Sequence, residues 1–452
     1  MMEKVAMNTN FLPISNLLNE LSALSESEIE FDIFLKKVDN FNRESLSYLK
    51  QVYGSERFAK VLLLKISNVA VGKYQYLRRH SRLISRPFGL IVDPCNSCQL
   101  ACPGCIHRKT AQDKSKIDWV PGNLNKDTLD RLLYEFGPYA INTQYFNWGE
   151  PLLNKKTPQF IQESRRFLMR TSISTNLSLS FDAEALVASG LDYLILSIDG
   201  ATAETYGKYR VNGNFDLVLD NITRLVKARK DLKSKTPFIV WQYLLFDHTI
   251  SEINQAKKLA QERGVDRIDF AEPYDVSMYD PTITKPLNLL PRYNVFNLQI
   301  GAGRQSLENA VIDLHPIIED HWEKSWVSRV DDDYLEGSRP NMKTCQWLYK
   351  DMAMDATGRI FPCCFEPLKD PSALFGNILS DINVFNSMHY VISRKYFDSS
   401  DVNFLNTACS VCPHQNSIPN INNNHLISYF SFAEYRDCLQ KDVVKNICNW
   451  ND

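Results

Sequence analysis

The chain has 452 residues, 44% of them hydrophobic and 23% charged, with a net charge of -2. That length accommodates one large domain with smaller units attached. The near balance of charge gives no general electrostatic reason to expect a nucleic-acid partner, and no run of about 18 apolar residues marks a membrane span.

The amino-terminal MMEKVAMNTNFLPISN lacks the apolar stretch and cleavage site of a secretory signal, so the chain is expected in the cytoplasm. There its 11 cysteines point to metal ligation rather than disulfides. Residues 1–82 carry apolar side chains at three- and four-residue spacing, which predicts a helical extension packed on the body of the chain. From residue 83 to about 300, short apolar runs alternate with helical segments, the pattern of repeated βα units around parallel strands. The predicted strands are GLIVD (89–93), TQYFNW (143–148), TSISTN (171–176), YLILSID (193–199), FIVWQYLLF (238–246) and RIDFAE (267–272). KDTLDRLLYEFG, TPQFIQESRRFLMR, DAEALVASG, FDLVLDNITRLVKARKDL and ISEINQAKKLAQERG supply helices between them. Six such strands predict an α/β fold, a partial (β/α)6 TIM-like barrel whose chemistry gathers at the carboxy-terminal strand ends. Residues 275–342 are rich in Pro, Asn and Asp with weak periodicity, so 301–342 is assigned as a connection. A small α+β unit is expected over 343–430, with a hairpin in MAMDATGRIFPCCFEP turning at Ala356–Gly358, and 431–452 forms a tail.

The cysteines fall in two groups, 95, 98, 102 and 105, then 345, 363, 364, 409 and 412, with none between 106 and 344 and with Cys438 and Cys448 apart. Two metal sites are implied. In CQLACPGC, Cys98, Cys102 and Cys105 share one short loop directly after the first strand. Three thiolates so placed can hold three corners of a cubane and leave the fourth iron to a small chelating molecule. A structural zinc site would instead need a fourth ligand, for which Cys95 or His107 is at hand.

This CxxxCxxC loop resembles the signature of the radical S-adenosylmethionine (SAM) superfamily. The resemblance implies that Cys98, Cys102 and Cys105 ligate a [4Fe–4S] cluster and that SAM chelates its open iron. Reductive cleavage of SAM would yield a 5′-deoxyadenosyl radical that abstracts a substrate hydrogen. The position before the last cysteine, commonly aromatic in this superfamily, is Gly104 here. FNWGEPLL is similar to the family's GGEP motif, which puts Gly149 and Glu150 at the methionyl amino group. Ser174 and Asn176, then Ser197 and Asp199, close the next two strands with small polar groups suited to ribose hydroxyls or a carboxylate. Arg210 fits the guanidinium that the family pattern offers to the methionyl carboxylate, with a surface ion pair as the plainer reading. Gln242 on the fifth strand and Glu272 closing the sixth point to SAM, to substrate, or to an interior hydrogen bond. A flavodoxin- or ferredoxin-type electron donor is implied as a partner.

Cys345, Gly358, Cys363, Cys409 and Cys412 resemble the beginning of the SPASM pattern, whose longer form serves two auxiliary clusters. Ile418 occupies the position of a further expected cysteine, so the shortened twitch form with one auxiliary [4Fe–4S] cluster is implied. Cys364 is an alternative to Cys363, and four cysteines with His414 nearby would also suit zinc. A fully ligated auxiliary cluster carries electrons, which in the resembled enzymes accompanies oxidation of an aminocyclitol, or crosslinking and epimerisation of ribosomally made peptides. The expected activity is hydrogen abstraction from a sugar, aminocyclitol or other small metabolite, followed by oxidation, epimerisation or elimination. Modification of a ribosomally synthesised peptide is the alternative, set back by the lack of a clear hairpin in residues 1–82. A non-enzymatic iron–sulfur redox protein is a third reading. The catalytic candidates are Glu272, Glu366 and Asp355, the last two as bases beside the auxiliary ligands, with surface solvation the plainer reading of each of those two.

Overall fold

The computed structural model describes residues 65, 68, 72, 75, 76, 79–108, 120–271, 273, 280–284, 296–299, 345–364, 373–381, 383–398 and 407–411. Six parallel strands pair in sequence order: β1 (Gly89–Val92), β2 (Asn142–Gln144), β3 (Arg170–Thr175), β4 (Tyr193–Ser197), β5 (Phe238–Leu244) and β6 (Arg267–Ala271). Between them lie α1 (Lys126–Phe136), α2 (Thr157–Arg165), α3 (Ala183–Ala188), α4 (Ala203–Tyr209), α5 (Phe215–Asp231) and α6 (Ile253–Arg263). This is the mixed α/β, partial TIM-like arrangement that the alternating runs predict. The helices begin where a short polar side chain can accept a first-turn N–H: Asn125, Asp182, Thr202 and Asn214 each do so. Strand periodicity sorts the side chains. Ile173, Leu194, Leu196, Ile268 and Phe270 are buried beneath the helices, whereas Ser174, Tyr193, Ser197, Arg267 and Asp269 lie half-buried on the concave face.

Two entries into the sheet repeat one device. Gly190–Leu191–Asp192 leads into β4 and Gly264–Val265–Asp266 into β6, with left-handed glycines at φ 75° and 74°. Each buried aspartate accepts a backbone N–H from the neighbouring strand, Thr171 at 2.8 Å and Ile239 at 2.8 Å. Each also pairs with a guanidinium from a helix, Arg165 of α2 at 2.6 Å and Arg229 of α5.

The carboxy-terminal hairpin does not stand apart from the barrel. β8 (Asp351–Met354) pairs in parallel with β1, and β9 (Arg359–Phe361) and β10 (Gly376–Asn377) follow antiparallel, while β7 (Phe296–Gln299) lies antiparallel on β6. One ten-stranded sheet results. Two further helices, α7 (Trp347–Lys350) and α8 (Met388–Asp398), flank the hairpin. β8 joins β1 because both are apolar on both faces and β1 otherwise has an open edge. β7 falls in the stretch of weak periodicity, where no strand was predicted, and the assigned boundaries at 300, 342 and 430 lie outside the described residues. Among the described residues no helix is long and apolar enough to cross a membrane.

Of residues 1–78 the structure describes 65, 68, 72, 75 and 76. Lys65, Asn68, Gln75 and Tyr76 are helical and buried. Lys65 Nζ donates to Gly137 O at 2.9 Å and to Ala140 O, ahead of β2. Asn68 exchanges hydrogen bonds with the Arg86 backbone, Gln75 Oε1 accepts from Ser85 N at 3.0 Å, and Tyr76 meets Tyr349 edge-on at 5.2 Å. These four residues thereby meet the segments that lead into β1, β2 and β8. Burial pushes the Lys65 ammonium down from 10.5 to about 7. Between those values the folded chain binds fewer protons at this site than the unfolded chain, so its contribution to stability rises with pH across the window. Lys65→Met should flatten that rise in denaturation midpoints measured from pH 7 upward; an equal rise in both proteins would assign it to other groups.

Candidate functional site

The loop after β1 is fastened from several sides before any cysteine is considered. Asn96 N donates to Gly122 O at 2.8 Å, Asn96 Nδ2 donates to Val120 O at 2.8 Å, and Asn96 Oδ1 accepts from Ala356 N at 2.8 Å. Asn154 Nδ2 donates to Pro94 O at 2.8 Å, and Glu150 N to Ser97 O at 2.8 Å. Beneath them sits Asp93, fully buried at the end of β1. Its Oδ1 accepts the backbone N–H groups of Asn147, Trp148 and Gly149 at 2.8, 3.1 and 3.3 Å, and its Oδ2 accepts from Trp148 N at 3.1 Å. Burial pushes the Asp93 carboxyl up to about 7, against the pull of those backbone donors. Gly149 is required by contact: a Cβ there would lie 1.6 Å from Cys95 O.

Cys98, Cys102 and Cys105 follow on this fastened loop, with Cys105 N donating to Cys102 O at 3.1 Å and Gly104 left-handed at φ 76°. The turn between the last two cysteines therefore takes a glycine where an aromatic residue is common in the resembled family. Donors surround the sulfurs: Asn176 Nδ2 lies 3.7 Å from Cys98 Sγ, Leu100 N 3.5 Å from the same atom, and Arg210 Nη1 3.9 Å from Cys102 Sγ. Burial pushes the Cys98 thiol up to about 12, and the other two thiols of the loop add to the shift. Three sulfurs on one loop, mutually interacting and met by N–H groups, fit an iron–sulfur cluster. Nearby, His107 Nε2 donates to Trp148 O at 2.8 Å and Cys95 Sγ accepts from Ser97 N at 3.4 Å. Among the described residues no three His, Cys, Asp or Glu side chains converge as a single-ion site.

The residues expected at SAM do gather at these strand ends, but several are engaged with one another. Glu150 accepts from Leu152 N, Thr175 Oγ1 and Asn176 N at 3.1, 2.6 and 2.9 Å, and burial pushes its carboxyl up to about 7. Asp199 holds Arg210 Nη2 at 2.6 Å and Leu244 N at 2.7 Å. Arg210 is thus neither a surface pair nor a free guanidinium; burial opposes its charge, but Asp199 and then Cys102 hold it well above its ordinary range. Asn176 Oδ1 accepts from Gln99 Nε2 at 2.8 Å. Ser174 and Ser197 share a hydrogen bond of 2.9 Å on the concave face, where Gln242 lies in register with Ser197. Glu272 lies outside the described residues.

Two cysteines of the second group flank the hairpin that adjoins β1. Cys345 precedes α7, Cys363 follows β9, and Cys409 lies in the hydrophobic core; Cys412 and Glu366 lie outside the described residues. Cys363 is half-buried and Cys364 exposed, and Cys363 with Cys409 pushes the buried Tyr390 hydroxyl upward, after burial itself. Asp355 is buried rather than solvated. It accepts from Thr357 N at 2.8 Å, Arg359 N at 3.1 Å and Arg359 Nε at 2.7 Å, which makes it the brace of the β8–β9 turn. Sequence reasoning missed Asp93, Asn96 and Gln99. The available signal was an acidic residue closing an apolar strand immediately before Pro94.

Residues 92–260 match the Radical SAM superfamily. The chain is 30% identical over 137 residues to the GTP 3',8-cyclase of Limosilactobacillus fermentum, covering 29% of this chain and 39% of that protein. It is 28% identical over 164 residues to the AdoMet-dependent heme synthase of Methanosarcina barkeri, covering 35% and 44%. It therefore spans less than half the length of either relative. Streptococcus suis SuiB bound to S-adenosylmethionine aligns with a TM-score of 0.45 and 15% identity, over 74% of this chain and 80% of that one.

Two substitutions test the fastening of the loop. Gly149→Ala should destabilise the metal-free chain by about 3 kcal/mol or more because backbone must move. Asp93→Asn should cost about 1–3 kcal/mol by turning an amide N–H toward backbone donors. Urea unfolding followed by circular dichroism measures both, and wild-type midpoints would remove Asp93 and Gly149 from this role.

Proposed function

Residues 92–260 are a radical SAM domain, and from that premise we propose that the chain is an enzyme that cleaves SAM reductively on a [4Fe–4S] cluster held by Cys98, Cys102 and Cys105. The observation that carries the reading is the pair of N–H donors, from Asn176 and Arg210, directed at the Cys98 and Cys102 sulfurs of a loop fixed by Asp93. Those donors meet thiolate charge on the protein side. The bound cluster would supply an electron to SAM, and the 5′-deoxyadenosyl radical so formed takes a hydrogen from the substrate. Gly149, Glu150, Ser174, Asn176, Ser197, Asp199, Arg210 and Gln242 are the proposed SAM-site residues. Glu150, Asp199 and Arg210 act there by holding strand ends and charge in place, through the bonds they already make. Asn147 adds a buried amide N–H with no partner among the described residues.

The concave wall supports a small polar substrate. Gln144, Ser172 and Gln242 are half-buried on it, and the Gln144 and Gln242 amides have no hydrogen-bond partner among the described residues. Beside Gln144, whose register partner is Ile91, the residues Ile91, Ala353, Phe361 and Trp148 form an apolar patch, with Trp148 and Phe361 edge-on at 5.0 Å. A ring bearing hydroxyl or amino groups at its rim and C–H bonds on its face matches both surfaces. The substrate is accordingly a sugar, aminocyclitol or related small metabolite, with a ribosomally made peptide as the alternative. The names of the two curated relatives, a GTP cyclase and a heme synthase, lie on the small-molecule side. Cys345, Cys363, Cys409 and Cys412 would hold an auxiliary [4Fe–4S] cluster, which would supply an acceptor for the electron left by substrate oxidation, and a flavodoxin- or ferredoxin-type protein would serve the first cluster.

Anaerobic reconstitution with iron and sulfide should load about eight irons per chain, and about four in a Cys98→Ala, Cys102→Ala, Cys105→Ala variant. Dithionite-driven release of 5′-deoxyadenosine should be lost in that variant. Zinc in place of iron, or deoxyadenosine formation indifferent to the three substitutions, would overturn the proposal.

A further inference from the structure

The auxiliary segment contains a buried cation that no described carboxylate balances. Arg394 of α8 is 0% exposed. Its Nε donates to Leu348 O at 2.9 Å, its Nη1 to Ser81 O and Asn386 Oδ1 at 3.2 Å each, and its Nη2 to Phe385 O at 2.8 Å. All four acceptors are neutral. The rings of Phe385, Tyr390 and Tyr349 lie 4.8, 5.1 and 5.6 Å from the guanidinium carbon. Arg165, Arg210, Arg229 and Arg359 each pair with an aspartate. Arg394 has no such partner among the described residues. A guanidinium held in a core without an anion costs several kcal/mol, so carbonyls and rings alone are a poor reason to keep one there.

The surroundings indicate which anion belongs beside it. Ser393 Oγ donates to Thr407 Oγ1 at 2.9 Å, tying α8 to the short helical turn that bears Cys409. Tyr390, one turn before Arg394, donates its hydroxyl to Phe361 O at 3.2 Å, two residues before Cys363, and Leu348, whose carbonyl Arg394 holds, donates its N–H to Cys345 O at 3.3 Å. Burial pulls the Arg394 guanidinium down, while Tyr349, Tyr390 and Cys409 favour its charge. The contacts of α8 around Arg394 thus lead to the segments of Cys345, Cys363 and Cys409, and Arg394 pairs with no described carboxylate.

We infer that Arg394 is the counter-charge of the auxiliary cluster, offsetting the net negative charge of an iron–sulfur cluster held by Cys345, Cys363, Cys409 and Cys412 and raising its reduction potential. This rests on the auxiliary-cluster reading made above. An added electron is stabilised by a fixed cation at close range, so the cluster becomes a better acceptor for the electron that leaves an oxidised substrate. Arg394 acts as a positioning residue, through charge, and touches no reacting atom.

The full chain with Cys98, Cys102 and Cys105 replaced by alanine isolates the auxiliary cluster for redox titration followed by electron paramagnetic resonance. In that background Arg394→Gln should shift the potential negative, while Arg394→Lys, which keeps the charge, should stay near the parent. Equal shifts in both variants, or none in Arg394→Gln, would overturn the inference while leaving the cluster in place. If Arg394→Gln does not fold, Arg394→His supplies both charge states in one protein. Its potential should fall more steeply than the parent's as pH rises through the imidazole titration, and parallel profiles would refute the charge effect. Failure of the parent background to bind iron would instead remove the auxiliary cluster itself.

Discussion

A carboxylate with no water around it must find donors, and Asp93 finds three consecutive backbone N–H groups at residues 147–149. That choice sets the geometry of the whole upper end of the sheet. It bends the chain out of β2, presses Gly149 against the Cys95 carbonyl, and delivers Glu150 to Thr175 and Asn176 at the end of β3. Asn176 in turn reaches Cys98. The cysteine loop is thereby referred to three strands at once, through one acid at the end of the first.

The barrel was legible in the sequence because its strands alternate and its helices carry polar caps. RIDFAE, TSISTN and YLILSID appear as strands with ends shifted by one or two residues. TQYFNW is cut back to Asn142–Gln144, since Tyr145 buries its hydroxyl against Phe160 O and Ser164 Oγ and Asp93 takes the N–H groups that follow. For the site, residue types and strand ends were readable, but partners were not. Asp199 and Arg210 were both singled out, yet nothing local announces that they neutralise each other. The pairing of β8 with β1 was equally invisible, because it joins segments far apart in the chain and leaves no periodic trace in either.

The two cysteine groups use one sheet in opposite directions. Cys98, Cys102 and Cys105 follow the carboxy-terminal end of β1, whereas Cys345 precedes α7 and the amino-terminal end of β8, its parallel neighbour. The height of a four-residue strand, about 13 Å, separates the two levels. Cys409 belongs to the hydrophobic core that the strands share with the helices, and Cys345 packs against that core. Tyr76 belongs to the same arrangement, because its ring meets Tyr349 at the amino-terminal end of β8.

During synthesis this topology imposes an order. β1 emerges early and gains β2 at once, but its other edge waits for residue 351. Until then GLIV exposes a row of unpaired N–H and C=O groups on an apolar strand, a template for pairing with other nascent chains. The ribosome-bound intermediate therefore carries an open apolar edge beside the loop of Cys98, Cys102 and Cys105.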